Sequence, residues 1–386
     1  MVSERIKNIA PSATLAVDAK AKQLKKEGKN VLNFGAGEPD FNTPENIKEA
    51  AKRAIDNNIT RYTPVGGIPE LREAIAKKFR EINKISYDAS EVAVSAGGKH
   101  VLYNIAMALL NENDEAILPV PYWVSFEEII KLTGAKAVFC NTGDKFKLTA
   151  KDVENKITNK TKMLILNSPS NPSGAIVDKA EIEKIAKLAV QHNFYVVADE
   201  VYEYFAYGKK DIASIASLNG EIKNLTVTAN SFSKTYAMTG WRVGYCGANR
   251  EIIKGIESLQ GHSTSNISNI AQMAALEALN GPQDSIKVMI KAFDERRKFM
   301  HKRLNEMQGV SCVEPEGAFY AFPDISGTGM ESTEFSSKLL EEALVAVVPG
   351  IAFGSDKHVR LSYAASMEDI RQGMDRMEKW VKSKVQ

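Results

Sequence analysis

Along the chain, short runs rich in apolar and β-branched residues recur between longer stretches of helical period. Glu91 to Ser95, Glu115 to Leu118, Ala135 to Cys140, Met163 to Asn167, Tyr195 to Ala198 and Leu225 to Thr228 have the length and composition of strands. Between them, His100 to Leu110, Ser125 to Leu132 and Lys179 to His192 carry helical patterns. Strand and helix therefore alternate through the middle of the chain. Such alternation predicts an α/β fold with a mostly parallel central sheet, helices on both faces, and ligand sites at the carboxyl ends of the strands. The flanks read differently. Residues 1–30 are helical after Pro11, and from about Ser285 long charged helices precede strands near Ala318 to Phe322 and His358 to Ser362. The expected division is an N-terminal arm with the first part of a small α+β domain over residues 1–44, a large domain over 45–284, and the rest of the small domain over 285–386. No repeat or low-complexity tract interrupts it.

Composition narrows the class. With 386 residues, 44% hydrophobic and 25% charged, the chain has material for one large core and a smaller one. Its 50 basic and 48 acidic residues lack the concentrated basic excess that nucleic acid demands. The longest apolar runs, such as Ala343 to Val348, fall far short of the ~20 residues that span a bilayer. The first residues set Glu4, Arg5 and Lys7 among isolated apolar positions and lack the apolar block of a secretory signal. A cytoplasmic protein with neither nucleic-acid nor membrane partners is expected. Cys140, Cys246 and Cys312 are scattered, odd in number and without metal-ligand spacing, so they are expected as core fillers and no metal site is predicted.

Candidate chemistry follows the strands. In NSFSKTYAMTGWRVGY, residues 230–245, Lys234 lies three positions after Ser231 and eight before Arg242. An amine so placed can hold an aldehyde cofactor as a Schiff base while hydroxyl and guanidinium hold its phosphate, the division of labour of pyridoxal phosphate enzymes. A surface lysine in a Ser/Thr-rich loop is the plainer alternative. The stretch AVSAGGKH, residues 93–100, ends a strand in two glycines and enters a helix whose first amides can face an anion. Neither it nor GAGEPD, residues 35–40, completes a nucleotide-binding motif. Trp123 of PYWVSF can lie flat on a planar ring or fill the core. Asn171, in the turn LNSPSNPSGAI, has an amide able to donate to a phenolate or carboxylate. Asp199 ends the apolar strand of YVVADEVYEYF, where an acid is costly unless it meets a cation such as a protonated pyridine nitrogen. Capping a helix is an equal alternative for Asp199. Tyr202, three residues on, can donate to a phenolate oxygen. In KHVRLSYA, residues 357–364, Arg360 reads as half-buried with no adjacent acid, suited to bidentate capture of a ligand carboxylate, or else to an ion pair elsewhere in the fold.

In order and spacing, AGEPDF (36–41), YTPVGGIPELREAIA (62–76), SAGGKH, PYW, SNPSGA, ADEVY, SFSK, MTGWRVGY and RLSYA resemble the class I, fold-type-I pyridoxal phosphate aminotransferases over nearly the whole chain, specifically the aspartate aminotransferase branch with a GGK signature. The resemblance implies that Lys234 is the Schiff-base lysine and proton shuttle and that Asp199 faces the pyridine nitrogen. Trp123 would stack on the ring and border the substrate, while Asn171 and Tyr202 would bind the phenolate oxygen. Gly98, the Lys99 backbone, Ser231 and Arg242 would surround the phosphate. Tyr62 would reach the phosphate of the neighbouring subunit in a homodimer with shared sites. Arg360, the Gly37 amide and Asn171 would hold the α-carboxylate of amino-acid and 2-oxo-acid substrates. In one branch of the family a partner arginine binds the side-chain carboxylate, and HSTSN, residues 262–266, has none. In the branch this chain is similar to, the Lys99 ammonium and Thr14 hydroxyl take that role. The implied reaction is a ping-pong transfer from L-aspartate to 2-oxoglutarate, giving oxaloacetate and L-glutamate. Amination of prephenate, an aromatic or broad-range specificity, and lyase chemistry on the same fold are the alternatives. A regulator carrying a DNA-binding domain is not expected, because AGEPDF begins at Ala36.

Overall fold

The computed structural model describes residues 2–208 and 212–385, the side chains of Glu4 and Arg5 excepted; Met1 and Gln386, at the ends of the expected flanking regions, and residues 209–211 of the expected large domain lie outside it. The central sheet has seven strands: β1 Val92–Ser95, β2 Glu115–Val120, β3 Lys136–Asn141, β4 Thr161–Asn167, β5 Tyr195–Asp199, β6 Thr226–Ser231 and β7 Gly244–Gly247. Their spatial order is β1-β7-β6-β5-β4-β2-β3. Neighbours are parallel except at β7, which runs antiparallel to both β1 and β6. Six strands fall on the apolar runs. β7 does not, and its glycines explain why. A Cβ at Gly244 would stand 2.5 Å from the backbone of Gly97 and Gly98, and one at Gly247 would stand 2.5 Å from the Tyr87 ring. Close approach demands glycine at both places, and glycine erases the usual strand signature.

Burial on both faces makes the middle strands continuously apolar. In β4, Met163 and Ile165 join one core with Val101 and Ile105 of α1 (Gly98–Leu109), Ile130 of α2 (Ser125–Leu132) and neighbouring helices. Leu164 and Leu166 point the other way, into a core with Ile182 and Ile185 of α3 (Lys179–His192). Helix α1 starts two residues before the predicted His100. Its cap residue is Gly97 at φ +86°, a conformation that glycine takes without strain, so the second glycine already belongs to the first turn.

The two chain ends meet. Leu32–Asn33 pairs in parallel with Val345–Ala346, and Val359–Ser362 pairs antiparallel with Val348–Pro349 on one side and Tyr320–Ala321 on the other. Phe34, Phe293, Phe319 and Trp380 share one core there. Gly373 of the C-terminal helix Met367–Lys384 lies so close to Phe34 that a Cβ would stand 2.3 Å from the ring. Full burial of such a phenylalanine contributes about 1.5–3 kcal/mol to the join. The three cysteines are buried free thiols. Among the described residues no helix is long and apolar enough to cross a membrane, and no group of His, Cys, Asp and Glu could hold a metal ion.

Candidate active site

The carboxyl ends of β1, β2, β4, β5 and β6 converge on a cavity of about 270 Å³. Every residue singled out from the sequence lines it, Tyr62 excepted. Tyr62 is 91% exposed and stands outside it.

Asp199 is the last residue of β5 and buried. Its carboxylate meets one backbone group, the Val201 N–H at 3.3 Å, and a turn rather than a helix follows, so the helix-capping alternative fails. Burial pushes the carboxyl up to about 7, opposed by the Val201 hydrogen bond and the charge of Lys234. Lys234 lies in the short helix Phe232–Thr235 directly after β6, and its Nζ donates to the Gly37 carbonyl. Burial pushes the ammonium down to about 8; Glu38 opposes this, and Arg360 and Arg242 reinforce it. A surface lysine would show none of this, and that alternative fails as well.

One end of the cavity suits an anion. Gly98 opens α1, where unpaired amides and the helix dipole favour negative charge. The Arg242 guanidinium is held by the carbonyls of Thr239 at 3.0 Å and Ala96 at 3.4 Å. It lies so near the loop that a Cβ at Gly97 would stand 2.4 Å from Nη2. Ser231 closes this end: a Cβ at Gly98 would lie 3.3 Å from the Ser231 Cβ. Trp123 flanks the cavity, edge-on to Phe126 with ring centres 5.4 Å apart. Lys99 Nζ stands 5.1 Å from the Trp123 ring centre, and the nearby Thr14 Oγ1 is buried without a hydrogen-bond partner.

At the opposite side Arg360 is only 1% exposed, a correction to its expected half-burial. The short strand Val359–Ser362 is buried on both faces, which its pattern alone does not reveal. Its guanidinium lies between the rings of Tyr320, at 4.5 Å, and Phe353, at 5.0 Å. Nη1 donates to Asn171 Oδ1 at 3.0 Å and Nη2 to the Gly35 carbonyl at 2.7 Å, while Nε has no partner. Among the described residues no carboxylate pairs with it, so the ion-pair alternative fails. Burial pushes this guanidinium down from its ordinary value. A buried cation without an acid is destabilising until an anion arrives.

Two contributors escaped the sequence reading. The Tyr320 hydroxyl lies 2.8 Å from that of Tyr202, and a Cβ at Gly37 would stand 2.7 Å from it. Burial raises the Tyr202 phenol well above its ordinary value, so it stays a donor. Asn167 ends β4, accepts from the Asn171 N–H at 2.9 Å and donates to the Asp199 carbonyl at 3.1 Å. A tyrosine in an apolar strand, and a polar residue at the carboxyl end of a parallel strand, were the available signals. The arrangement can hold a flat ring with a basic nitrogen at Asp199, a phosphate at Gly98, Ser231 and Arg242, and a carboxylate at Arg360.

The family model described as "Aminotransferase class I and II" matches residues 29–377. The chain is 45% identical to an aspartate aminotransferase of Bacillus sp. (strain YM-2), over 99% of each sequence. It is 46% identical to a probable aspartate/prephenate aminotransferase of Aquifex aeolicus (strain VF5), over 98% of each. Among solved structures, the aspartate aminotransferase from Thermus thermophilus with maleate superposes with a TM-score of 0.95 at 41% identity, covering 98% of this chain and 99% of that one.

Proposed function

Since the chain belongs to the class I and II aminotransferases, we propose that it transaminates dicarboxylic amino acids with pyridoxal phosphate, converting L-aspartate and 2-oxoglutarate to oxaloacetate and L-glutamate. One observation carries the reading: a single cavity holds a buried acid and a buried guanidinium, neither in an ion pair among the described residues, and a lysine shifted down to about 8. These residues fit the cofactor. When bound, it supplies an electron sink for the pair released from the breaking Cα–H bond.

The chain's own residues do the rest. Lys234 Nζ would hold the cofactor by its aldehyde carbon and, once free, would accept the substrate's α-proton and give it back as the proton shuttle. An amine shifted to about 8 is unprotonated often enough near neutral pH to act as that base. Asp199 keeps the ring nitrogen protonated, and the Tyr202 hydroxyl and Asn171 amide donate to the phenolate oxygen. The α1 amides at Gly98 and Lys99, the Ser231 hydroxyl and Arg242 bind the phosphate. Trp123 covers the ring and excludes water. Arg360, with Asn171 and the Gly37 amide, would hold the α-carboxylate and so orient the substrate's α-carbon.

For the substrate side chain, Lys99 supplies charge and Thr14 a buried hydroxyl with no hydrogen-bond partner among the described residues. The Thermus relative's structure with maleate, itself a dicarboxylate, supports a dicarboxylic substrate. Tyr62, fully outside its own chain's cavity, serves the phosphate of a second copy in a homodimer. The small domain comprises residues 1–44 and 285–386, the large one 45–284, and the enzyme works in the cytoplasm. A second reading, prephenate as amino acceptor, draws on the name of the Aquifex relative. Spectra and half-reaction rates test the proposal. Protein saturated with pyridoxal phosphate should be yellow, and aspartate should shift its band toward the ultraviolet. Lys99→Met should slow the aspartate half-reaction by about tenfold or more while sparing phenylalanine. Equal slowing of both donors would remove Lys99 from side-chain recognition, and a faster reaction with prephenate than with oxaloacetate would favour the second reading.

A further inference from the structure

Beside the cavity a second set of charged side chains is buried, and nothing in the mechanism uses it. Lys78 ends the helix Pro69–Lys78, Asn83 follows in the π-helical turn Phe79–Asn83, Glu200 and Glu203 lie in the turn after β5, and Asn230 lies in β6. Lys78 and Glu203 form an ion pair with side chains only 6% exposed each. Lys78 also donates to Asn83 Oδ1 at 2.9 Å, and Asn83 Nδ2 bridges Glu200 Oε2 at 2.7 Å and Glu203 Oε2 at 2.6 Å. From the other direction Asn230 Nδ2 donates to Glu203 Oε1 at 2.7 Å and to the Glu200 carbonyl at 3.2 Å. Asn230 Oδ1 accepts the Ser231 N–H at 2.7 Å. Lys78 thus pairs with Glu203, and Asn83 links that pair to Glu200, which also accepts from the Ser214 hydroxyl at 2.7 Å. Burial, then the charge of Glu203, pushes the Glu200 carboxyl up to about 7.

Buried ion pairs seldom add net stability, so a pair kept at this depth calls for another role. This one joins the turn that follows Asp199 and carries Tyr202 to the end of β6, where Ser231 lies and the helix with Lys234 begins. We propose that Glu203 is a positioning residue for the phosphate cradle: fixed by Lys78 and Asn83, its carboxylate anchors Asn230, which holds the Ser231 amide and so sets the Ser231 hydroxyl against the Gly98 end of α1. With its amide engaged, Ser231 is held extended at φ −155° and ψ 159°, and its Oγ caps the Ser233 N–H at 3.2 Å. The inference rests on the cofactor reading above.

Its test compares equilibrium binding of pyridoxal phosphate and of pyridoxal, which lacks the phosphate, to the apo-protein. Asn230→Ala should weaken pyridoxal phosphate by about tenfold, the consequence of one charge-assisted hydrogen bond, and leave pyridoxal within about twofold. Two double variants remove the buried charges together, which keeps the fold from carrying an unpaired ion. Lys78→Met with Glu203→Gln retains a carbonyl acceptor for Asn230 and should bind within about threefold of the native protein, whereas Lys78→Met with Glu203→Leu should match Asn230→Ala. If Asn230→Ala does not fold, the two double variants decide the matter. Equal losses for both ligands, no loss for either, or a glutamine variant as weak as the leucine variant would overturn the proposal. Native protein that binds neither ligand would instead refute the cofactor reading.

Discussion

Replacing Arg360 by lysine keeps a positive charge and removes the planar fork. In the native cavity Nη1 is engaged with Asn171 at 3.0 Å and Nη2 with the Gly35 carbonyl at 2.7 Å. The Nε–H, buried without a partner, and the second hydrogen of each Nη remain for a substrate carboxylate. A lysine ammonium in the same place would use two hydrogens on Asn171 and Gly35 and keep one. At least one charge-assisted hydrogen bond to the α-carboxylate is therefore lost, about 1.5–3 kcal/mol, so kcat/KM for aspartate should fall by about 10- to 150-fold. The assay is steady-state turnover of aspartate beside that of β-alanine, which is aspartate without its α-carboxylate. The variant should leave the β-alanine rate within about twofold of native, because the missing bond is one this donor never makes. A loss on aspartate smaller than about threefold, or an equal loss on β-alanine, would refute the assignment of Arg360 to the α-carboxylate.

Two further outcomes follow from the buried ionisable groups. Lys234, shifted from 10.5 to about 8, should capture pyridoxal phosphate in the apo-protein with a rate that rises through a midpoint near pH 8. Its folded form releases the proton first, so this group also makes apo-protein stability rise between about pH 8 and 10.5. A capture midpoint near 10.5 would contradict both statements. Asp199 has the opposite sign: raised from 3.8 to about 7, it contributes apo-protein stability that is lost as pH climbs through that window. Asp199→Asn should therefore melt no lower than native apo-protein at pH 8 while losing at least ~100-fold in kcat, as measured by thermal melts and turnover. A clearly lower melting temperature, or retained turnover, would count against an unpaired buried acid that awaits a ring cation.

The sequence made the central sheet legible where burial on both faces produced continuous apolar runs, as in Met163 to Leu166. It hid β7, because contact with the Gly97 loop and with Tyr87 required glycines where strands usually show β-branched residues. The convergence of Lys234, Asp199 and Ser231 on the cavity was legible because each sits at or just beyond a strand end, and that of Arg242 because it shares the motif of Lys234. Burial of Arg360 was not, since a strand of four residues does not reveal how many layers cover it. Tyr320 and Asn167 act through hydrogen bonds to residues already identified, and the Tyr202 partner lies 118 residues away. The Lys78 to Glu203 pair spans 125 positions, and nothing near either residue marks it as buried. Tyr62 is the candidate that the structure leaves outside the cavity, 91% exposed.

Reduction of the pyridoxal phosphate-loaded protein with borohydride asks whether one amine, that of Lys234, carries the cofactor. After digestion, mass mapping should find a single pyridoxyl group on the peptide that contains Lys234 and on no other lysine. A label elsewhere, or no label in protein saturated with pyridoxal phosphate, would mean that Lys234 is not the amine that holds the cofactor.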